Sequence, residues 1–189
     1  MSKLKEEKTL VLIKPDGVKR GLIGEIITRF EKTGLKIVAL KMIQVDKNFV
    51  LKHYPTDRLE FLRGIGEKTL QTYEKYQKDP EKELGTKDSL EIGKMVNNWN
   101  IEFLTSGPVI AIVLEGIHAV DNVRMMVGNT LPVFAQPGTI RGDFSIDSPA
   151  LANERKRPVR KVISRRPKKR LNFGFHPKNF ILINDRMRM

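Results

Sequence analysis

The chain has no cysteine, one tryptophan, three tyrosines and only three histidines among its 189 residues. The absence of cysteine excludes disulfides, thiolate metal ligands and cysteine nucleophiles, and it fits a reducing compartment, so a cytoplasmic location is expected. No apolar run approaches the roughly 20 residues of a membrane-spanning helix, so no membrane partner is expected. The opening residues, Met1-Ser-Lys-Leu-Lys-Glu-Glu7, lack the apolar stretch of a signal peptide. There is no GxxxxGK[ST] loop and no protein-kinase signature set, which sets aside two large classes of phosphoryl-transfer enzyme.

What is present is an ordinary core and an uneven charge. A hydrophobic fraction of 40% in 189 residues is enough for one core, and one domain is expected. The net charge is +13, but residues 165–189 hold eight basic and one acidic side chain, a net +7. The other 164 residues carry 27 basic and 21 acidic groups, only +6. Ten of the sixteen residues from Arg155 to Arg170 are Lys or Arg and none is acidic. Such a run repels itself and is usually a solvated segment. It also suits a polyanion, so nucleic acid is a candidate partner through Arg155–Arg170, although only Phe173 and Phe175 stand near it to stack on bases.

Periodicity places the elements. Lys8 to Ile13 reads as a short buried strand. Leu22, Ile23, Ile26, Ile27 and Phe30 recur at helical spacing, with Gly34 placed to end that helix. Leu35 to Val45 is apolar on both faces of a period-two pattern, as in a central strand. Asp46 or Asn48 is positioned to cap a short helix through Leu51. Thr69 to Lys78 suits one helix. Asp88 with Glu91 resembles a capping box, followed by an apolar stripe of Ile92, Met95, Val96, Trp99 and Phe103. Val109 to Leu114 is the clearest strand, with a helix from about Ala119 to Val127 and a Pro/Gly loop from Asn129 to Phe144. A last strand near Val162 completes a ferredoxin-like βαββαβ sandwich, an antiparallel sheet with helices packed on it.

Two segments carry chemistry. Thr9-Leu-Val-Leu-Ile-Lys-Pro-Asp-Gly17 runs an apolar strand into a lysine and a turn. Gln136-Pro-Gly-Thr-Ile-Arg-Gly-Asp-Phe144 presents Arg141 beside an aspartate and between glycines. That pattern suits a phosphate, because the guanidinium fork binds two oxygens and glycine lets the backbone come close. Taken singly, Lys14 reads as a surface charge, Arg124 as a solvated helix residue and Tyr54 as packing. In order along the chain, from Thr9 to Arg160, these segments resemble the nucleoside diphosphate kinase family.

The resemblance implies the ferredoxin-like fold and transfer of the terminal phosphate of ATP to a nucleoside diphosphate, in two half-reactions through a phosphohistidine. Lys14 matches a lysine near the ribose and phosphates, and Tyr54 a tyrosine beside the nucleophile. Arg124 and Thr130, within Asp121-Asn-Val-Arg-Met-Met-Val-Gly-Asn-Thr130, match phosphate contacts, and Arg141 matches a second phosphate arginine. Phe61 matches the clamp on the base, although Leu59 and Glu60 stand where the family pattern has proline and phenylalanine. Magnesium is expected on the nucleotide's own phosphates, with no carboxylate cage from the protein. A homo-oligomer, hexamer or tetramer, is also implied. The polar stretch 63–100 is one that shorter members lack.

The chain departs from the pattern at its most reactive position. The family's arginine-asparagine pair and histidine correspond here to Arg160-Lys-Val-Ile-Ser164, so Ser164 holds the nucleophile's place and Lys161 that of the asparagine. A neutral imidazole is nucleophilic near pH 7 and its phosphoramidate readily returns the group, whereas a serine hydroxyl is scarcely ionised and forms an inert ester. His53, His118 and His176 lie elsewhere in the sequence. The kinase-like domain is therefore taken as 1–164 and the atypical basic tail as 165–189.

The family continues with a helix of the type EAEFEISLWF and then HP. Here Lys169-Arg-Leu-Asn-Phe-Gly-Phe175 precedes His176-Pro177. With codons AAG AGG CTG AAT TTT GGT TTC, reading from each third base gives Glu-Ala-Glu-Phe-Trp-Phe. Residues of about 164–175 then read as translated out of frame; a diverged basic tail is the other reading. The out-of-frame reading has two sources, a sequencing error or a real indel, and fresh sequencing of the coding DNA tests the first: the same codon order in one clean frame removes the error explanation.

Overall fold

In a computed structural model of the chain, residues 6–130, 132–145 and 163–166 are described. The elements run β1 (Glu6–Ile13), α1 (Pro15–Lys19), α2 (Ile23–Glu31), β2 (Lys36–Ile43), α3 (Lys47–His53), α4 (Leu59–Lys75), α5 (Pro80–Leu84), α6 (Ser89–Thr105), β3 (Val109–Ile117), α7 (Ala119–Val127), a 3-10 turn (Pro132–Phe134), α8 (Ile140–Phe144) and β4 (Ile163–Arg166). The chain separates into two compact units. One holds all four strands with α1, α2, α7 and α8, and the other holds α3 to α6.

The sheet order is β2-β3-β1-β4, with every pairing antiparallel. With helices between β1 and β2 and between β3 and β4, this is the ferredoxin-like βαββαβ arrangement. Strand β1 is apolar from Leu10 to Ile13 because it pairs on both edges and is fully buried there. Its helix-facing residues Val11 and Ile13 join Ile110, Ile112 and Leu114 of β3 in one core cluster. Ile26 and Phe30 of α2, and Ala119, Val123 and Val127 of α7, close that cluster at the spacing of one helix face. Each fully buried side chain of this size contributes about 1.5–3 kcal/mol.

Strand β2 stands at the edge of the sheet, not at its centre as its two-sided apolar pattern suggests. Leu40 and Met42 are about half exposed there, at 49% and 53%, and a register irregularity falls between Ile37 and Ala39. Alternation reports which residues share a face, not whether a second strand lies alongside.

The second unit is built on a close crossing of α4 and α6. A Cβ on Gly66 would lie 1.7 Å from the Ser89 carbonyl oxygen, and one on Gly93 would lie 1.9 Å from that of Leu62. Both glycines are thus required by backbone approach rather than by dihedral angle. Helix α4 starts at Leu59, ten residues before the helix expected from Thr69, because Gly66, one of two glycines that weaken its local propensity, is what lets it pack. In α6 the buried residues are Ile92, Gly93, Asn97, Ile101 and Leu104. The expected stripe was out of phase, with only Ile92 fully buried. Asp46 caps α3 by accepting from the Phe49 amide at 2.7 Å, and Asp88 caps α6 by accepting from Glu91 N at 2.8 Å. The Glu91 carboxylate accepts from the Thr86 hydroxyl at 2.7 Å, while the Asp88 amide donates to that same hydroxyl.

Gly66→Ala tests the crossing against a built-in control. Alanine gains about 1 kcal/mol of helix propensity, but the clash is with backbone and costs about 1–3 kcal/mol or more. Gly66→Ala is expected to lower the denaturant midpoint, whereas Gly64→Ala, with nothing within 4 Å of its Cβ, leaves it unchanged or raises it.

Candidate functional site

Lys14 follows β1 directly and is the N-cap residue of α1, with extended backbone (φ −81°, ψ 167°). Its side chain is only 4% exposed. Pro15 suits the first helical position, where an N–H has no intrahelical partner in any case. Two residues on, the carboxylate oxygens of Asp16 are buried, with the Gly17 amide and its own amide beside them. Burial raises the Asp16 pKa, and the nearby Lys14 charge is the chief influence opposing it.

The segment expected as a loop around Arg141 is a short helix. Thr139 is its N-cap, accepting from the Gly142 amide at 3.1 Å and donating to Gln136 O at 2.6 Å. Arg141 is 7% exposed, and its Nη1 donates to the carbonyls of Gly128 (2.8 Å) and Asn129 (2.9 Å). Those carbonyls end α7, so Arg141 ties α8 to the turn that carries Thr130. Gly128 has φ +81°, and a Cβ there would meet Thr139 Oγ1 at 2.4 Å, so both its backbone and its space require glycine. Burial lowers the Arg141 pKa to about 10. The guanidinium stays charged at neutral pH and carries a desolvation cost that a phosphate oxygen would relieve.

Other expected residues take differing positions. Arg124 sits in the last turn of α7, exposed, 3.7 Å from the Asp121 carboxylate. Thr130 is exposed in a bend just beyond that helix. The backbone of Ser164 pairs with Leu12 across the β1–β4 ladder, two residues before Lys14, and α7 packs against β4. Lys161 lies outside the described residues, as do the tail from 167 onward and the basic run Arg155–Arg170 apart from 163–166. Tyr54 ends α3, 9% exposed, and Phe61 lies half-buried in the first turns of α4. Both belong to the second unit. Lys14, Arg124, Thr130, Arg141 and the Ser164 backbone belong to the first. Among the described residues, no group of three or more Asp, Glu, His or Cys could hold a metal. Nor is any described helix long and apolar enough to cross a membrane.

Sequence reasoning missed Arg29, because an arginine on the polar side of α2 carries no local signal. Its Nη1 reaches Asp143 Oδ2 at 2.6 Å and Gly138 O at 3.3 Å, its Nε reaches Glu25 Oε1 at 3.1 Å, and its Cζ lies 4.4 Å from the centre of the Phe144 ring. Asp143 Oδ1 accepts from the Gly138 amide at 2.8 Å. From α1, the Arg20 guanidinium donates to Phe144 O.

The fold and the buried Lys14 and Arg141 define an α/β protein of the ferredoxin-like class with cations suited to an anionic ligand. A family model described as "Nucleoside diphosphate kinase" matches residues 7–62 and 89–153. The chain is 50% identical over 153 residues to a nucleoside diphosphate kinase of Pyrobaculum aerophilum, covering 81% of this chain and 83% of that one. It is 38% identical over 157 residues to that of Borreliella burgdorferi, covering 83% and 77%. Among solved structures, an NDP kinase from Pyrobaculum aerophilum matches with a TM-score of 0.78 at 46% identity, over 85% of this chain and 88% of that one. A transition-state mimic of the Borrelia burgdorferi enzyme with bound vanadate and ADP matches at 0.65 and 36% identity, over 86% and 80%. The chain belongs to the nucleoside diphosphate kinase family, whose members are phosphotransferases. The matched stretches leave out 63–88, part of the stretch 63–100 taken from the sequence as additional.

The Asp143 contacts give a pH signature. The Gly138 amide, then Arg29, hold its carboxyl below the ordinary 3.8. A depressed carboxylate contributes stability that is present above the unfolded pKa and is lost as pH falls through the folded value. The chain is therefore expected to melt above Asp143→Asn at pH 6, with the gap closing below about pH 4; thermal melts of both proteins across pH 3–7 check this.

Proposed function

We propose that the chain binds nucleoside tri- and diphosphates, on a scaffold that moves the terminal phosphoryl group of ATP to a nucleoside diphosphate by way of position 164. The observation that carries this is the β1–β4 register, which pairs Leu12, two residues before Lys14, with Ser164. The family supports the reaction, and two related structures hold nucleotides: ADP with vanadate in the Borrelia enzyme and CDP in that of Halobacterium salinarum, which is 30% identical at a TM-score of 0.57.

In this reading Lys14, Arg124 and Arg141 neutralise the phosphate oxygens, and Thr130 donates its hydroxyl to one of them. Lys161 contacts the ribose or phosphate in place of an asparagine. Tyr54 and Phe61 lie in the second unit, and only the family resemblance assigns them a part in nucleotide binding. Mg²⁺ would be carried by the nucleotide's own phosphates and would neutralise charge there. A histidine at 164 would attack the terminal phosphorus, break its bond to the β-phosphate oxygen, and return the group to a second nucleotide. Ser164 lacks that nucleophilicity, so the chain as written binds nucleotide and transfers phosphate poorly. A homo-oligomer, hexamer or tetramer, and a cytoplasmic setting complete the reading. A second reading, a nucleotide-binding protein that also holds nucleic acid, is favoured by the ten basic residues in Arg155–Arg170.

Phosphotransfer from ATP to GDP with Mg²⁺, for the chain and for Ser164→His with Lys161→Asn, tests this. The variant is expected to gain at least about a hundredfold, the scale of a positioned catalytic group. Full activity in the unaltered chain would overturn the role of Ser164. If both bind ADP and neither transfers phosphate, the binding-protein reading stands instead.

A further inference from the structure

We propose that Arg29 is a positioning residue for nucleotide phosphate, acting through Arg141 by clamping the segment Gly138–Phe144 to α2. The inference rests on the nucleotide-binding reading of Arg141.

The geometry is a closed ring of contacts. Arg29 Nη1 holds Asp143 Oδ2 and Gly138 O, while Asp143 Oδ1 holds the Gly138 amide, so both ends of the segment are fixed to one guanidinium. Arg141 lies between those ends. The Phe144 ring under the same guanidinium, at 4.4 Å, removes a further freedom, and Glu25 one turn earlier on α2 orients its Nε. Arg29 and Asp143 are only partly exposed, at 24% and 28% of their side chains, so the pair is better screened from water than an ordinary surface bridge. On the other side, the Arg141 guanidinium is already tied to Gly128 O and Asn129 O. Fixing the backbone beneath it therefore fixes the direction of its remaining N–H groups. A preorganised donor spares a phosphate the ordering of this segment on binding. If the clamp's loss leaves the competent arrangement populated only a tenth to a third of the time, apparent affinity falls by the same factor.

The experiment is ADP titration by calorimetry on the full chain, Arg29→Met, Asp143→Asn, Arg141→Met and the double variant Arg29→Met/Arg141→Met. Arg29→Met is expected to weaken ADP about 3- to 10-fold. Asp143→Asn, which opens the ring from its other side, is expected to do the same if Arg29→Met fails to fold. The decisive readout is the double variant. If Arg29 acts through Arg141, adding Arg29→Met to Arg141→Met weakens ADP no further. A separate loss of equal size in the double variant, or unchanged ADP affinity in Arg29→Met beside a binding wild type, overturns the proposal. Absence of ADP binding by the wild type overturns the nucleotide reading first and this inference with it, an outcome told apart by the wild-type titration alone.

Discussion

Strand β1 is paired along both edges, and the place where Lys14 emerges beside the backbone of position 164 depends on that double pairing. Its ladder with β3 runs from Glu6↔Ile117 to Ile13↔Ile110, and its ladder with β4 joins Ile13↔Ile163 and Leu12↔Ser164. Residues about 150 positions apart in sequence thus meet beside the start of α1. A one-residue slip would exchange Val11 and Ile13, packed with Phe30 and Val123, for Leu10 and Leu12 of the sheet's other buried face, so the packing of both faces resists it. Burial of an apolar cluster therefore fixes where Lys14 emerges and which backbone position lies beside it. Helix α7 belongs to the same constraint. Ala119, Val123 and Val127 bury into the cluster that holds β1, and the helix ends in the carbonyls that receive Arg141.

Charge is handled differently at the two buried cations. Lys14 has the Asp16 carboxylate close in sequence and in space, and each offsets part of the other's desolvation. Arg141 donates to backbone carbonyls, which orient its guanidinium, and burial takes its pKa down to about 10. On the proposed reading, an anion reaching either group would meet a charge already stripped of much of its water. The donors are also held before the ligand arrives, through Thr139, Gly128 and the Arg29–Asp143 contact. Such preorganisation is what separates a binding cation from a surface one.

The sequence showed what local chemistry determines. The strands, the helix of Ile26 and Phe30, the caps Asp46 and Asp88, and Lys14 at a strand end follow from periodicity and side-chain type. What stayed hidden depends on partners distant in sequence. Gly64 and Gly66 argue against a helix locally, yet α4 runs through both because Ser89 sits against Gly66. The phase of the α6 stripe shifted because Gly93 and Asn97 are buried at positions where composition favours Val96 and Trp99. The apolar run Leu35 to Val45 could not announce an edge strand. Arg29 had no motif, since its meaning comes from a segment 109 to 115 residues away. The resemblance supplied Tyr54, Phe61, Arg124 and Thr130, which no spacing argument would have selected.

On the proposed reading, binding and chemistry are separable in this fold. The groups assigned to phosphate lie on β1, α7, α8 and the turn between the last two, where the core and the Arg141 contacts hold them. The acceptor is a single residue on the sheet-edge strand β4, whose backbone pairing with Leu12 is indifferent to its side chain. Replacing an imidazole by a hydroxyl there removes nucleophilicity while leaving the ladder and the cations as they were. The strand that brings position 164 to Lys14 would form with either residue. That independence explains how a chain can match the family through residue 153, keep the ferredoxin-like sheet, and still carry a serine where the reaction needs a stronger nucleophile.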